Sequence, residues 1–186
     1  MRVIAGEARS LQLVTPEGED TRPTTDRIKE TLFNMIQFDI PGCKFLDLFA
    51  GSGGIGIEAL SRGAEKAVFV DSAKEAQACI EQNLEHTHFT DKAQLLKQDA
   101  FVSMMMLEYR EVFDIVFMDP PYHKELERRV LEYLSTSPII NADTLVIFEA
   151  AVDTDISYID QLPFTITKVK KYKNNMHVFL KKDVAE

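Results

Sequence analysis

The chain has 186 residues, 45% hydrophobic and 27% charged, which suits a folded domain with a sizeable core and excludes a disordered polar chain. Its net charge of −9 argues against indiscriminate nucleic-acid binding, while a local basic patch remains able to meet a specific nucleic-acid substrate. No apolar run is long enough to cross a bilayer, and the start MRVIAGEARS lacks the charged-then-apolar pattern of a signal peptide, so a cytoplasmic protein is expected.

In chain order, RVIA and LQLVT are two short apolar strips with Gly6 between them, which predicts an N-terminal β-hairpin within residues 1–15. PEGEDTRP then breaks the pattern. Ile28, Leu32 and Ile36 recur at helical spacing, with Thr24 or Thr25 available as a cap and Asp26 suited to the first turn. Cys43 and Cys79 follow no metal-ligand or C-x-x-C spacing and read as two buried free thiols. KFLDLF is a strand, and the glycine turn after it opens a helix to about Arg62. KAVFVD is a second strand. Ser72 and Glu75 form an S-x-x-E capping box for a helix ending near Leu84, and His86 and His88 beyond it read as solvated loop residues, so no metal site is expected.

AQLLKQD is a third strand, followed by a helical stretch whose Met104, Met105 and Met106 read as core filling. FDIVFMD, LERRVLEYL and TLVIFEA complete the alternation as strand, helix and strand, which implies a mostly parallel sheet covered on both faces. The end differs: FTITKVKKY and HVFLKK flank Asn174-Asn175 with no room for a crossover, so they form an antiparallel hairpin. Lys168, Lys170, Lys171 and Lys173 make that hairpin a candidate basic patch, with Arg2, Arg9 and Arg22 as candidate companions; a solvated strand face is the plainer reading.

The segment FAGSGGIG holds G-x-G-x-x-G at Gly51, Gly53 and Gly56, a turn that any adenosine-bearing cofactor can use. Asp71, about 20 residues past the first glycine, is placed to accept hydrogen bonds from ribose hydroxyls. Asp47 decides between ligands. It stands four residues before Gly51, where a dinucleotide's pyrophosphate would approach the helix N-terminus, and a carboxylate there repels phosphate. S-adenosylmethionine carries an ammonium and a sulfonium and no phosphate, so the sign of the charge favours the methyl donor. Asp99 and Asp119 close the third and fourth strands, giving four aspartates on four successive strand ends.

DPPY, Asp119 to Tyr122, carries the chemistry. Two prolines fix the backbone and remove two N–H donors, leaving Asp119 and the Pro120 carbonyl to accept from an exocyclic NH2, while Tyr122 offers a stacking face.

Together TRPTTDRIKETLFNMI, LDLFAGSGGIGIEALSRGAEKAVFVD and FDIVFMDPPY resemble the RsmD-type methyltransferases, which methylate a guanine N2 in 16S ribosomal RNA. The resemblance implies an α/β, Rossmann-like class I methyltransferase fold: a mostly parallel seven-stranded sheet with a terminal antiparallel hairpin, in one domain over 1–186. Residues 1–23 would be the hairpin and loop extension, and 24–186 the core. It implies S-adenosyl-L-methionine as cofactor and 16S ribosomal RNA, free or within a small ribosomal subunit, as partner, with no membrane and no metal. Carried over to this chain, Asp47 with Phe49, Ala50, Gly51, Ser52, Gly53 and Gly54 would cradle the methionine end. Asp71 would hold the ribose, and Asp99 with Ala100 would border the adenine. Asp119, Pro120, Pro121 and Tyr122 would be catalytic, and Arg22, Pro23 and Thr24 would lie near the target base. The chain departs from the family at EARSLQL, where a basic stretch is usual, and at Lys173-Asn174, where a glycine is usual. A DNA adenine-N6 methyltransferase is the nearest alternative, protein glutamine methylation a further one, and a non-catalytic cofactor-binding module the alternative from another class. A dehydrogenase lacks a hydride-site proton donor.

Overall fold

In the computed structural model, residues 1–16 and 25–184 are described. Seven strands, β1 (Lys44–Leu48), β2 (Lys66–Val70), β3 (Ala93–Leu96), β4 (Ile115–Met118), β5 (Leu145–Ala151), β6 (Phe164–Lys171) and β7 (Asn175–Lys182), form one mostly parallel sheet, as the alternation of elements predicts, in the order β3-β2-β1-β4-β5-β7-β6 with β7 antiparallel to both its neighbours. The chain groups into two compact units, Met1–Ala100 and Phe101–Glu186.

The N-terminal unit holds α1 (Asp26–Met35), β1 (Lys44–Leu48), α2 (Gly54–Ser61), β2 (Lys66–Val70), α3 (Lys74–Thr87) and β3 (Ala93–Leu96). Thr25 caps α1, its hydroxyl accepting from the Ile28 amide, and Leu32, Phe33 and Ile36 are buried. β1 pairs in parallel with β2, and β2 with β3. Four of the five residues in each of β1 and β2 are buried, the run expected of strands covered on both faces.

The two N-terminal strips do run antiparallel, but the pairing is short: a single β-bridge, Arg2 with Gln12, flanked by hydrogen bonds from the Val3 amide to the Leu11 carbonyl and from the Leu13 amide to the Met1 carbonyl. The expected hairpin fails to extend because its amides are satisfied by α2. Glu58 accepts from the Ile4 and Ala5 amides, Ser61 Oγ accepts from the Ala8 amide, and the Ser61 carbonyl accepts from Glu7. Gly6 lets the backbones meet: its φ is +84°, and a Cβ there would lie 1.7 Å from the Ser61 carbonyl oxygen. Glu58 also pairs with Arg62 at 2.7 Å and with the buried Lys29 at 3.5 Å, and Lys29 Nζ donates to the Arg2 carbonyl.

The capping box does not form. The residue preceding α3 is Ala73, with no side-chain cap, so the helix starts one residue later than a Ser72 cap requires; Asp71 Oδ1 accepts from the Ala73 amide at 2.9 Å. A Ser72 cap would serve the Glu75 amide, a different group from the one that Asp71 holds. The helix also runs three residues past Leu84. Cys43 is buried, whereas Cys79, on α3, is only half-buried.

The C-terminal unit contains α4, whose first residue, Ala100, closes the preceding unit (Ala100–Leu107), then β4 (Ile115–Met118), α5 (Leu126–Thr136), β5 (Leu145–Ala151), β6 (Phe164–Lys171) and β7 (Asn175–Lys182). β4 pairs in parallel with β5, and β7 lies antiparallel between β5 and β6. The methionine run is not all core: Met104 is fully buried, but Met105 is 64% exposed and Met106 39%. Three consecutive helical residues are about 100° apart around the axis and cannot share one buried face. The terminal turn also differs from expectation. Asn175 belongs to β7 and is buried, so Lys173-Asn174 form the bend.

Candidate functional site

In the N-terminal unit, β1 delivers the chain into the glycine turn with Phe49 at a left-handed φ of +61°, a conformation that costs a non-glycine residue on the order of 1–3 kcal/mol. Hydrogen bonds hold the turn in place: Ala50 N to the Val70 carbonyl at 3.0 Å, Gly53 N to the Ala50 carbonyl at 2.7 Å, and Gly51 N to Asp71 Oδ2 at 2.8 Å. The Ser52 carbonyl accepts from Asn83 Nδ2 at 2.8 Å, and the same amide group clamps the Val14 backbone. Gly56 is the third glycine of the fingerprint. A Cβ there would lie 2.3 Å from the Phe69 ring, so α2 packs against β2 only because the side chain is absent.

Asp47 is 2% exposed, and its Oδ2 accepts from the Gly56 amide at 2.9 Å. Burial pushes its carboxyl up to about 8, opposed by that hydrogen bond and reinforced by the nearby Asp71 charge. The carboxyl thus takes one of the free amides that open α2, where a helix N-terminus would otherwise attract a phosphate. The turn suits a phosphate-free ligand. Asp71 is half-buried, and both its oxygens already accept from backbone amides; each keeps a lone pair for a ribose hydroxyl. At Gly51 nothing stands within 4 Å of where a Cβ would be, leaving room beside the turn. These features fit S-adenosylmethionine.

The structure brings Asp47, Phe49 to Gly54 and Asp71 together. Asp99 is less closely placed: β3 ends at Leu96, and Asp99 is exposed just ahead of α4, next to the buried Ala100. Arg22, Pro23 and Thr24 lie outside the described residues. Arg2 spends its charge on Asp26, Nε to Oδ2 at 3.0 Å. Among the described residues no cluster of three or more His, Cys, Asp or Glu is arranged to hold a metal ion.

In the C-terminal unit, all four residues of β4 are buried and lead directly into DPPY. Asp119 is half-buried, Pro120 buried, Pro121 exposed and Tyr122 half-buried. The Tyr122 hydroxyl donates to Glu149 Oε1 at 2.6 Å. Burial raises the Tyr122 phenol well above its usual range, and the Glu149 and Asp119 carboxylates add to the shift.

Glu149 is the residue that sequence reasoning missed. It lies on β5 opposite His177 of β7, and its Oε2 meets His177 Nε2 at 2.9 Å. Asn175, two residues along the same face of β7, donates to Oε1 at 2.6 Å. Burial pushes the Glu149 carboxyl up, but hydrogen bonds from His177 and Tyr122, with the pull of the imidazole and Asn175, leave it below the usual range. His177 is itself fully buried, and its Nδ1 lies 3.3 Å from the Tyr172 hydroxyl. One signal was available: a lone acid in the otherwise apolar strand LVIFEAA demands partners.

A family model described as Conserved hypothetical protein 95 matches residues 1–181. A Bacillus subtilis protein named "Putative rRNA methyltransferase YlbH" is 40% identical over 150 residues, covering 80% of this chain and 82% of that one. The Haemophilus influenzae protein named Ribosomal RNA small subunit methyltransferase D is 34% identical over 154 residues, covering 82% of this chain and 80% of that one. Among solved structures, a hypothetical protein of Thermus thermophilus superposes with a TM-score of 0.83 at 27% identity, covering 99% of each chain.

Proposed function

The chain belongs to the RsmD-type methyltransferase family, described as conserved hypothetical protein 95, and on that premise we propose that it methylates the exocyclic N2 of a guanine in 16S ribosomal RNA. The observation that carries the choice of methyl donor is Asp47, whose carboxyl occupies the Gly56 amide where a dinucleotide would need its phosphate. S-adenosylmethionine, when bound, supplies a methyl group made electrophilic by a sulfonium, so the protein needs neither metal nor covalent nucleophile. Asp71 holds the ribose, Asp47 and the turn 49–54 hold the methionine end, and Asp99 with Ala100 borders the adenine.

Guanine N2 is a weak nucleophile because its lone pair is delocalised into the ring. Asp119 and the Pro120 carbonyl accept its two N–H bonds, which localises that lone pair and aligns it for transfer. Alignment of this kind is worth on the order of 7–11 kcal/mol in favourable cases. Tyr122 stacks on the target base, which must first leave its own stack. Deprotonation follows transfer, so Asp119 need not be a strong base. Arg22, Pro23 and Thr24 are assigned to the region of the target base on the family resemblance alone. The substrate, free RNA or a small-subunit particle, would be met in the cytoplasm.

The test is incubation with isotopically labelled methyl donor and a panel of ribosomal RNA, assembled small subunits and DNA, followed by nucleoside mass spectrometry. The reading expects label in N2-methylguanosine from small-subunit RNA. Label in N6-methyladenosine of DNA instead would overturn the substrate, and binding of NAD without binding of the methyl donor would overturn the cofactor.

A further inference from the structure

Glu149 lies in the interior of β5, 5% exposed, in a strand otherwise made of apolar side chains. Three donors from two other segments converge on its two oxygens: Tyr122 and Asn175 on Oε1, His177 on Oε2. Strand register fixes two of them, since His177 is directly opposite Glu149 and Asn175 is opposite Ala151. Stability does not account for such a network. Replacing a buried ionic group by apolar side chains of similar volume is often neutral or stabilising. Orientation does account for it. The third donor, Tyr122, belongs to a connection outside helix and strand, where His123 and Glu125 both take left-handed φ angles of +61° and +52°. Regular backbone bonding does not aim the Tyr122 ring, whereas its hydroxyl is tied to a carboxylate that the sheet itself holds still.

We propose that Glu149 is a positioning residue: braced by His177 and Asn175, it fixes the Tyr122 hydroxyl and so sets the angle of the ring beside Asp119 and Pro120. The inference rests on the proposed methyl transfer, because it gives Tyr122 a base to stack on. Glu149 touches neither the base nor the methyl donor; it acts through the ring. Tyr172 extends the brace on the other side, its ring meeting that of His177 edge-on at 5.2 Å.

The experiment compares Glu149→Gln, Tyr122→Phe and the double variant. Tyr122→Phe removes one hydroxyl and leaves Glu149 paired with Asn175 and His177, so it remains informative even if Glu149→Gln folds poorly. Each single variant is expected to lower kcat about tenfold, with KM for RNA and affinity for the methyl donor within about twofold of the parent. The double variant should be no slower than either single one, because both cut the same link. Independent effects that multiply to about 100-fold, or a Tyr122→Phe enzyme as fast as the parent, would overturn the proposal. A readout without turnover accompanies this: fluorine NMR of protein labelled with 3-fluorotyrosine, where Tyr122→Phe assigns the Tyr122 signal among the five tyrosines. Glu149→Gln should shift and broaden that signal, and an unmoved signal would also overturn the proposal. If the parent protein methylates no RNA, the proposed function falls while the fluorine spectrum still decides whether Glu149 orients Tyr122.

Discussion

Asp47 is buried where it caps the start of α2 through the Gly56 amide, and burial disfavours its charged form. Burial lifts its carboxyl from 3.8 to about 8. Between those values the folded protein holds a proton that the unfolded chain has lost. The stability contributed by Asp47 is therefore complete below about pH 4 and is lost as pH rises through about 8. Asp47→Asn keeps an oxygen for the Gly56 amide and abolishes the titration, so thermal melts of this variant should vary less with pH across that window and exceed the parent above about pH 8. Parallel melting profiles would mean that the carboxyl stays ionised throughout. Asp119 is a cleaner case at the same scale, because its expected work is on the acceptor amine. Asp119→Ala should cut the methylation rate at least about 100-fold, nearly 3 kcal/mol of transition-state stabilisation, with methyl-donor affinity preserved in calorimetry. Asp119→Asn can still accept one N–H and should keep more activity than Ala. Equal loss in both variants would mean that charge, rather than orientation of the amine, is what matters.

Among the elements, α2 carries the most. One face packs on β2 through Gly56, and the other gathers the N-terminal residues through Glu58 and Ser61. Glu58 and Lys29 are both fully buried, and burial lowers the Lys29 amine even against the pull of Glu58. Glu58→Ala leaves that ammonium without its carboxylate and should destabilise the protein by about 3–5 kcal/mol in urea titrations. Glu58→Leu combined with Lys29→Met should recover most of the loss, unless the Ile4 and Ala5 amides, and not the ion pair, are what Glu58 serves. Neither the pair nor its partners follow from the sequence, because Glu58 reads there as an ordinary helical acid. The parallel strands were legible, since a buried strand announces itself as an apolar run. The glycine turn and DPPY were legible for a different reason: they constrain the backbone locally. The short N-terminal pairing was not, because it depends on a competitor supplied from elsewhere, Glu58; nor was the start of α3, which falls one residue after the position that a Ser72 cap requires. The Glu149 brace needs the register of β5 against β7, which no pattern along one strand encodes.

For the molecule as a whole, charge poses the sharpest question, since a chain of net charge −9 has to meet a polyanion. Global attraction cannot do this, and like-charge repulsion at long range should slow encounter at low salt. A local surface has to overcome it. The terminal hairpin is suited: β6 is an edge strand of the sheet, Lys168, Lys171 and Lys173 are exposed on it or on its turn, and the half-buried Lys170 lies with its ammonium 5.9 Å from the centre of the Tyr172 ring. Among the described residues none of these four lysines forms a salt bridge with a carboxylate of the chain, which leaves their charge for a ligand. If they meet phosphates, each ammonium–phosphate pair releases a condensed counterion, and affinity falls with salt accordingly. Lys170→Ala with Lys171→Ala should weaken RNA binding at low salt and reduce the log–log salt slope by about one for each phosphate no longer paired. The melting temperature should stay close to the parent's, because Lys171 is exposed and Lys170 half-buried. Binding measured across a series of potassium chloride concentrations decides the point: a slope unchanged from the parent would make these lysines an ordinary solvated face and move the search for the RNA surface to another part of the chain.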